Sequence, residues 1–379
     1  AGISVPLWAR SLGDGKQPVT FQPELVLEGI NALVDQDGAD EKLALVRMAQ
    51  LALGDVGTQG TTAAVFEGYS TSRDLRPHQK VIGEVVGTLE RIYPTGERRV
   101  DHELARLVAM LEPESPLPLE RLLGKMTDES SPTLDLHHLI VLARNRAARS
   151  SEQRRKIARA LVQLRLKVDA RHLNLDSNWD ARLGEMYAGL VTHDPALPQA
   201  VIAEQDFGLP DHVIYLKPLA AGDLQLAVDR IAERIGESED YPWTAEIIRL
   251  LGRSRREEHL QLLRKQAGNF GVQGAVLSVL AGQPRPADRA LFMRGLESAD
   301  LGLVGTSLSA LTALPAVKDP QELVRLVYNL RRLDHNEAAW RLRERAVRLL
   351  RRNTGRQFGF VVGKEGYKPQ QKVIQAWTD

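Results

Sequence analysis

Residues 319–333 read DPQELVRLVYNLRRL, and the order of these residues decides the fold class. Asp319 supplies a capping side chain, Pro320 suits the first helical position, where its missing N–H is no loss, and Glu322 falls three residues after the cap. Leu323, Leu326, Val327 and Leu330 then recur at helical spacing, which puts them on one face. Working outward, REEHLQLLRKQ from Arg256 and ADRALFMRGLES from Ala287 have the same character, and the three starts lie 31 and 32 residues apart. Each precedes a second helix of small and apolar residues, as in GVQGAVLSVLAG and GLVGTSLSALTAL. One such pair is too small to bury both its faces, so stacked neighbours must supply the core. The expected fold is all-α: an α-solenoid of HEAT-like helical hairpins, of the ARM-type superhelix.

The earlier part of the chain reads the same way. Leu104, Leu107, Val108 and Leu111 share a face behind Asp101, which is expected to be the N-cap, and Pro113 closes that helix. From Ser151, Ile157, Leu161, Leu164 and Val168 form an apolar stripe, while Arg154, Arg155, Arg159 and Arg165 lie elsewhere around the cylinder. Pro195, Pro198, Pro210 and Pro218 interrupt the regularity, and HVIYL is ambiguous between strand and helix. The expected organisation is an extended segment (1–20), an N-terminal repeat array (21–195), an irregular joint (196–240), HEAT-like repeats (241–355) and a C-terminal loop with the start of a helix (356–379).

Composition narrows the function classes. Only 5% of the 379 residues are aromatic, which disfavours all-β and α/β readings. Fifty Lys and Arg against 49 Asp and Glu give a net charge of +1, so a polyanionic partner has to be argued from a local patch. The absence of cysteine excludes disulfides, thiolate metal sites and covalent haem attachment within these residues. No apolar run approaches the roughly 18 to 20 residues that cross a bilayer.

Several stretches carry a family resemblance. They are LALGDVG (51–57), EGYS (67–70), IYPTGERRVDHELARLVAMLE (92–112), DLHHLIVLARN (135–145) and ERAVRLLRRNTGRQFGF (344–360), the last followed by Trp377. In this order they resemble the HEAT-repeat region of the planctomycete-type membrane-bound dehydrogenases, secreted proteins that combine a dehydrogenase-like β-propeller, HEAT repeats and a haem-binding cytochrome c domain. The resemblance spans most of the chain, and its motifs read as packing signatures. It implies an extracytoplasmic, periplasmic or secreted, setting and partner domains on the same polypeptide. It also implies that haem c sits in an attached domain, since no Cys-x-x-Cys-His sequence is present here. By the same resemblance the propeller is expected before Ala1 and the cytochrome after Asp379, with this chain as their connector.

Candidate sites are few, and no catalytic, cofactor or metal residue is expected. His137 and His138 are adjacent, so on a helix they diverge by about 100° and do not face one metal; one packed and one solvated histidine is the expectation. Asp35, Asp37, Gly38, Asp40 and Glu41 lack the distal glutamate of a calcium loop and read as a polar turn before a helix. Gly54, Gly57 and Gly60 follow a helix-like run and not a strand, and Gly359, Gly363 and Lys364 have Glu365 where a phosphate loop needs serine or threonine. The strongest positive feature is the basic helix 337–352, on which Arg341, Arg345, Arg348 and Arg352 align as a ridge able to meet an anion or an acidic partner. Glu337 and Glu344, four residues before Arg341 and Arg348, answer part of that charge. The expected function is a non-catalytic scaffold or docking domain. The alternative is a free-standing HEAT-repeat protein that binds nucleic acid or an acidic partner through the ridge, with a DNA-glycosylase-like enzyme behind it.

Overall fold

A computed structural model describes residue 21 and residues 23–54, 63–334, 336–360 and 370–379, the side chain of Glu337 excepted. The expected extended segment 1–20 lies outside the described residues. Among these residues there is no strand: the chain is all-α, with short 3-10 turns between helices. Two compact units divide between Arg234 and Ile235, within the 196–240 segment read as a joint.

In unit 1 the helices are α1 (Pro23–Val34), α2 (Ala39–Ala52), α3 (Gln79–Ile92), α4 (Arg98–Leu111), α5 (Leu117–Lys125), α6 (Pro132–Leu142), α7 (Ser151–Ala170), α8 (Trp179–His193) and α9 (Leu197–Ala203). Helix α6 packs against α4, α5, α7 and α8, so it is covered on most of its circumference. The segment 196–240 is more regular than the prolines suggest. HVIYL falls in a 3-10 helix, Pro210–Leu216, and α10 (Ala221–Glu237) carries the boundary between the units. Asp101 is not a cap: α4 begins at Arg98 behind Glu97. The Asp101 carboxylate instead accepts from the Thr95 backbone N–H (2.7 Å) and hydroxyl (2.9 Å), holding the loop before the helix. Ser150 does cap α7, in a reciprocal capping box with Gln153.

Unit 2 contains α11 (Ala245–Ser254), α12 (Glu257–Lys265), α13 (Gln273–Ala281), α14 (Arg289–Gly295), α15 (Leu301–Ala313), α16 (Pro320–Leu333), α17 (Trp340–Thr354) and α18 (Gln371–Thr378). The small, apolar helices α13 and α15 are the middle members of a row in which α11 packs on α13, α13 on α15 and α15 on α17. The polar helices α14 and α16 each pack on the row member that follows them in sequence. The basic helix is shorter than the sequence suggests, because Glu337–Ala339 form a 3-10 turn before α17. Gly355 ends α17 at φ +75°, the left-handed cap that glycine adopts without penalty.

Buried carboxylates join one hairpin to the next. Asp288, fully buried at the start of α14, is held by Arg264 of α12 at 2.6 Å. Glu322, in the first turn of α16, has no exposed side-chain surface. It accepts from Arg289 of α14 at 2.6 Å and from Asn353 of α17 at 2.8 Å. Both acids sit where a helix N-terminus favours negative charge.

Removing one partner of such a buried pair leaves an uncompensated charge, which costs about 3–5 kcal/mol. Glu322→Ala is therefore expected to lower the unfolding free energy of unit 2 by that much or to prevent its folding. Arg341→Ala, at an exposed position, should change stability by less than about 0.5 kcal/mol. Urea melts of the two variants check both values.

Candidate functional site

The site is assembled from separate stretches of unit 1. Tyr69 follows the 3-10 turn Ala64–Phe66, and Tyr93 caps α3 with its N–H on the Leu89 carbonyl. Arg121 donates to the carbonyls of Glu90 and Tyr93, which fixes that helix end. His102 lies on α4, and His137 and His138 lie on α6.

Both α6 histidines are buried, at 4% and 2% exposure, so the expectation of one packed and one solvated ring is corrected. The cause is the covering of α6 by its four neighbours. The rings still diverge. His137 stacks on the exposed His102 ring at 3.7 Å between centroids, and its Nδ1 pairs with the Tyr69 hydroxyl at 2.9 Å. His138 lines a cavity of about 890 Å³, and its Nδ1 has no hydrogen-bond partner. Among the described residues no group of three or more His, Cys, Asp or Glu side chains is placed to hold a metal.

Tyr93 and His102 also line the cavity, with Leu43, Pro94 and Leu134 as apolar wall. Four cations (Arg47, Arg98, Arg99, Lys125) face two carboxylates (Asp101, Glu103). Lys125 pairs with Asp101 at 3.2 Å and Arg47 with Glu103 at 3.0 Å. Arg99 reaches Asp40 at 3.2 Å, and Arg98 is unpaired among the described residues. Lys125 Nζ also lies 5.1 Å from the centre of the Tyr93 ring. The Tyr93 hydroxyl is buried without a partner, and burial, helped by Asp101, raises its pKa.

Burial holds the His137 ring down to about 2, reinforced by the positive charge that His102, His138 and Arg106 would place beside it. Burial and then Lys125 hold His138 down to about 4. Both imidazoles are therefore neutral at physiological pH, each with one donor and one acceptor nitrogen. What the cavity can offer a ligand is hydrogen bonds, ring contacts and the positive charge of Arg98 at its wall. Among the described residues no hydrogen bond joins the Ser131 or Thr133 hydroxyl to His138.

The arginine ridge is placed differently. Arg345 donates to the Gly305 carbonyl (3.4 Å) and the Ser309 hydroxyl (3.0 Å). Arg352 donates to the carbonyls of Leu311 (3.0 Å) and Thr312 (2.5 Å), closing the end of α15. Arg348 faces Glu344 at 3.8 Å, and Arg341 lies over the Trp340 ring. Two of the four thus bind the preceding row helix and two stay at the surface. The basic stretch 144–171 is also largely paired: Arg154 with Asp194, Arg159 with Asp128, Arg165 with Asp169 and Asp211, and Lys167 with the buried Asp135. Gly57, Gly60, Gly363, Lys364 and Glu365 lie outside the described residues.

Compared with known proteins, the chain matches no family model, no curated protein and no solved structure. Tyr69, Tyr93, His102 and Lys125 were not singled out by sequence reasoning as site residues. The available signal was that the first three belong to the stretches 67–70 and 92–112, read as packing signatures, which meet the 135–145 stretch here.

A third histidine shares the state of His137 and His138. His212 Nδ1 accepts from the backbone N–H groups of Gly208 (3.0 Å) and Leu209 (3.2 Å), so Nε2 carries the proton and donates to the Val162 carbonyl (3.1 Å). Burial holds it down to about 4. The unfolded chain, with ordinary histidines near pH 6.5, takes up protons that the folded chain refuses. Stability is expected to be full above about pH 6.5 and to fall as pH drops toward 4, by up to about 1.4 kcal/mol per pH unit for each of the three. Urea midpoints between pH 7.5 and 4.5 check this, and His138→Asn should flatten the slope.

Proposed function

We propose that the chain is a helical-repeat docking module, an α-solenoid of HEAT-like hairpins that performs no chemistry of its own. The observation that carries this reading is the row α11–α13–α15–α17 in unit 2, with each hairpin tied to the next through a buried carboxylate. Such a stack presents a fixed surface whose shape follows from nearest-neighbour contacts. The family resemblance supplies the setting: an extracytoplasmic region that links a dehydrogenase-like propeller to a cytochrome c domain carrying haem. In unit 1 two of the stretches that carry the resemblance, 92–112 and 135–145, line the His138–Tyr93 cavity, while Tyr69 of a third pairs with the neighbouring His137; this cavity is the point we assign to partner contact. Use of Arg345 and Arg352 inside unit 2 favours this reading over a nucleic-acid surface on the ridge.

The test begins with protein from its native source, taken before any proteolysis. A mass well above 42.1 kDa with a haem Soret band is expected; a mass near that value without haem rejects the redox setting. For docking itself, the chain is titrated in trans with the separately produced propeller and cytochrome domains. One of them should bind, and His138→Gln with Tyr93→Phe should weaken it about tenfold, or about 1.4 kcal/mol. Full affinity in that double variant would remove the cavity from the interface.

A further inference from the structure

Unit 2 has a concavity of its own. Helices α11 and α13 approach so closely at Gly252 that a Cβ there would lie 2.4 Å from the Val279 side chain. Beside this contact lies a cleft of about 460 Å³ whose wall includes Arg249, Arg253, Arg255 and Arg264. Among the described residues no carboxylate lines it. Arg264 is neutralised by Asp288 and Glu257 and acts as wall. Arg249, Arg253 and Arg255 make no ion pair or hydrogen bond through their side chains among the described residues, unlike the basic stretch of unit 1.

Local backbone adds a second observation. Arg255 ends α11 at φ +55°, ψ +11°, in the left-handed region. Glycine takes that conformation freely, as Gly355 does at the end of α17, whereas a residue with a Cβ is strained there. Arg255 thus holds a conformation suited to glycine while its side chain lines the cleft without a partner among the described residues, and backbone strain of this kind occurs at binding sites. Arg253, in the last turn of α11, also complements the helix dipole. Arg255, the residue that caps the helix, does so too, whereas Arg249, a turn earlier, does not serve that purpose.

We propose that this cleft is an anion site that takes the phosphate group of a compact phosphorylated ligand. Three uncompensated guanidinium groups exceed what a single carboxylate would neutralise, and their planar forks match phosphate oxygens. The cleft has the size of a small-molecule pocket. None of its wall residues is aromatic, so it offers no platform for stacking bases along a single strand. This site is separate from the ridge and does not depend on the docking role.

The experiment is calorimetric titration of the whole chain with inorganic pyrophosphate in a phosphate-free, low-salt buffer. Binding in the micromolar to submillimolar range is expected, weakening as salt is added. Arg249→Ala with Arg253→Ala should lose at least about tenfold in affinity. Arg255→Gly should lose affinity several-fold while raising the melting temperature, a combination that damage to the fold does not produce. Arg341→Ala with Arg348→Ala should leave binding unchanged. The proposal is overturned by absence of binding at millimolar pyrophosphate, by full affinity in the Arg249/Arg253 variant, or by an equal loss in the Arg341/Arg348 variant. It is also overturned if a short DNA duplex binds and pyrophosphate does not, which would assign the cleft to a nucleic-acid backbone.

Discussion

The arrangement of unit 2 depends on burying carboxylates at the starts of its polar helices. Asp288 and Glu322 are both removed from water, and a buried carboxylate is tolerated only with a fixed counter-charge. Arg264 and Arg289 supply it, each from the preceding polar helix. Apolar contacts along the row α11–α13–α15–α17 supply the larger share of stabilisation, and close fits such as Gly252 on Val279 already favour one register. The ion pairs, together with Asn353 on Glu322, add a polar constraint on the same register.

Unit 1 handles charge in another way. Its basic stretch is answered mostly by aspartates from other segments, such as Asp194, Asp128 and Asp211, and by the buried Lys167–Asp135 pair at 2.5 Å. Histidine burial is the counterpart of these pairs. Three rings are held neutral, and two of them, His137 and His212, have at least one nitrogen fixed by a hydrogen bond. A polar core of this kind limits the tolerance of the fold on the acid side.

Helix positions were largely legible in the sequence, and the candidate site was not. Asp319 and Pro320 encode their helix start locally, and α16 runs Pro320–Leu333 with the Asp319 carboxylate on the Gln321 N–H. Asp101 misled because a carboxylate six residues after Thr95 serves the loop equally well as a cap would serve the helix. The cavity depends on contacts between residues far apart in sequence, such as His102 on His137 and Tyr69 on His137, and spacing within a helix carries no trace of them. The ridge illustrates the converse. Four aligned arginines were plain from periodicity, but only tertiary packing decided that Arg345 and Arg352 would turn toward α15.

The ties between consecutive hairpins also have a mechanical meaning. Because each carboxylate joins only neighbouring hairpins, tension applied to the ends of unit 2 would pass through the ties in series, so that each tie carries the full load. The weakest tie gives first. One released hairpin frees about thirty residues, or roughly 100 Å of contour at about 3.5 Å per residue, while its neighbours keep their own pairs. Under such tension unit 2 is expected to lengthen in steps, one hairpin at a time.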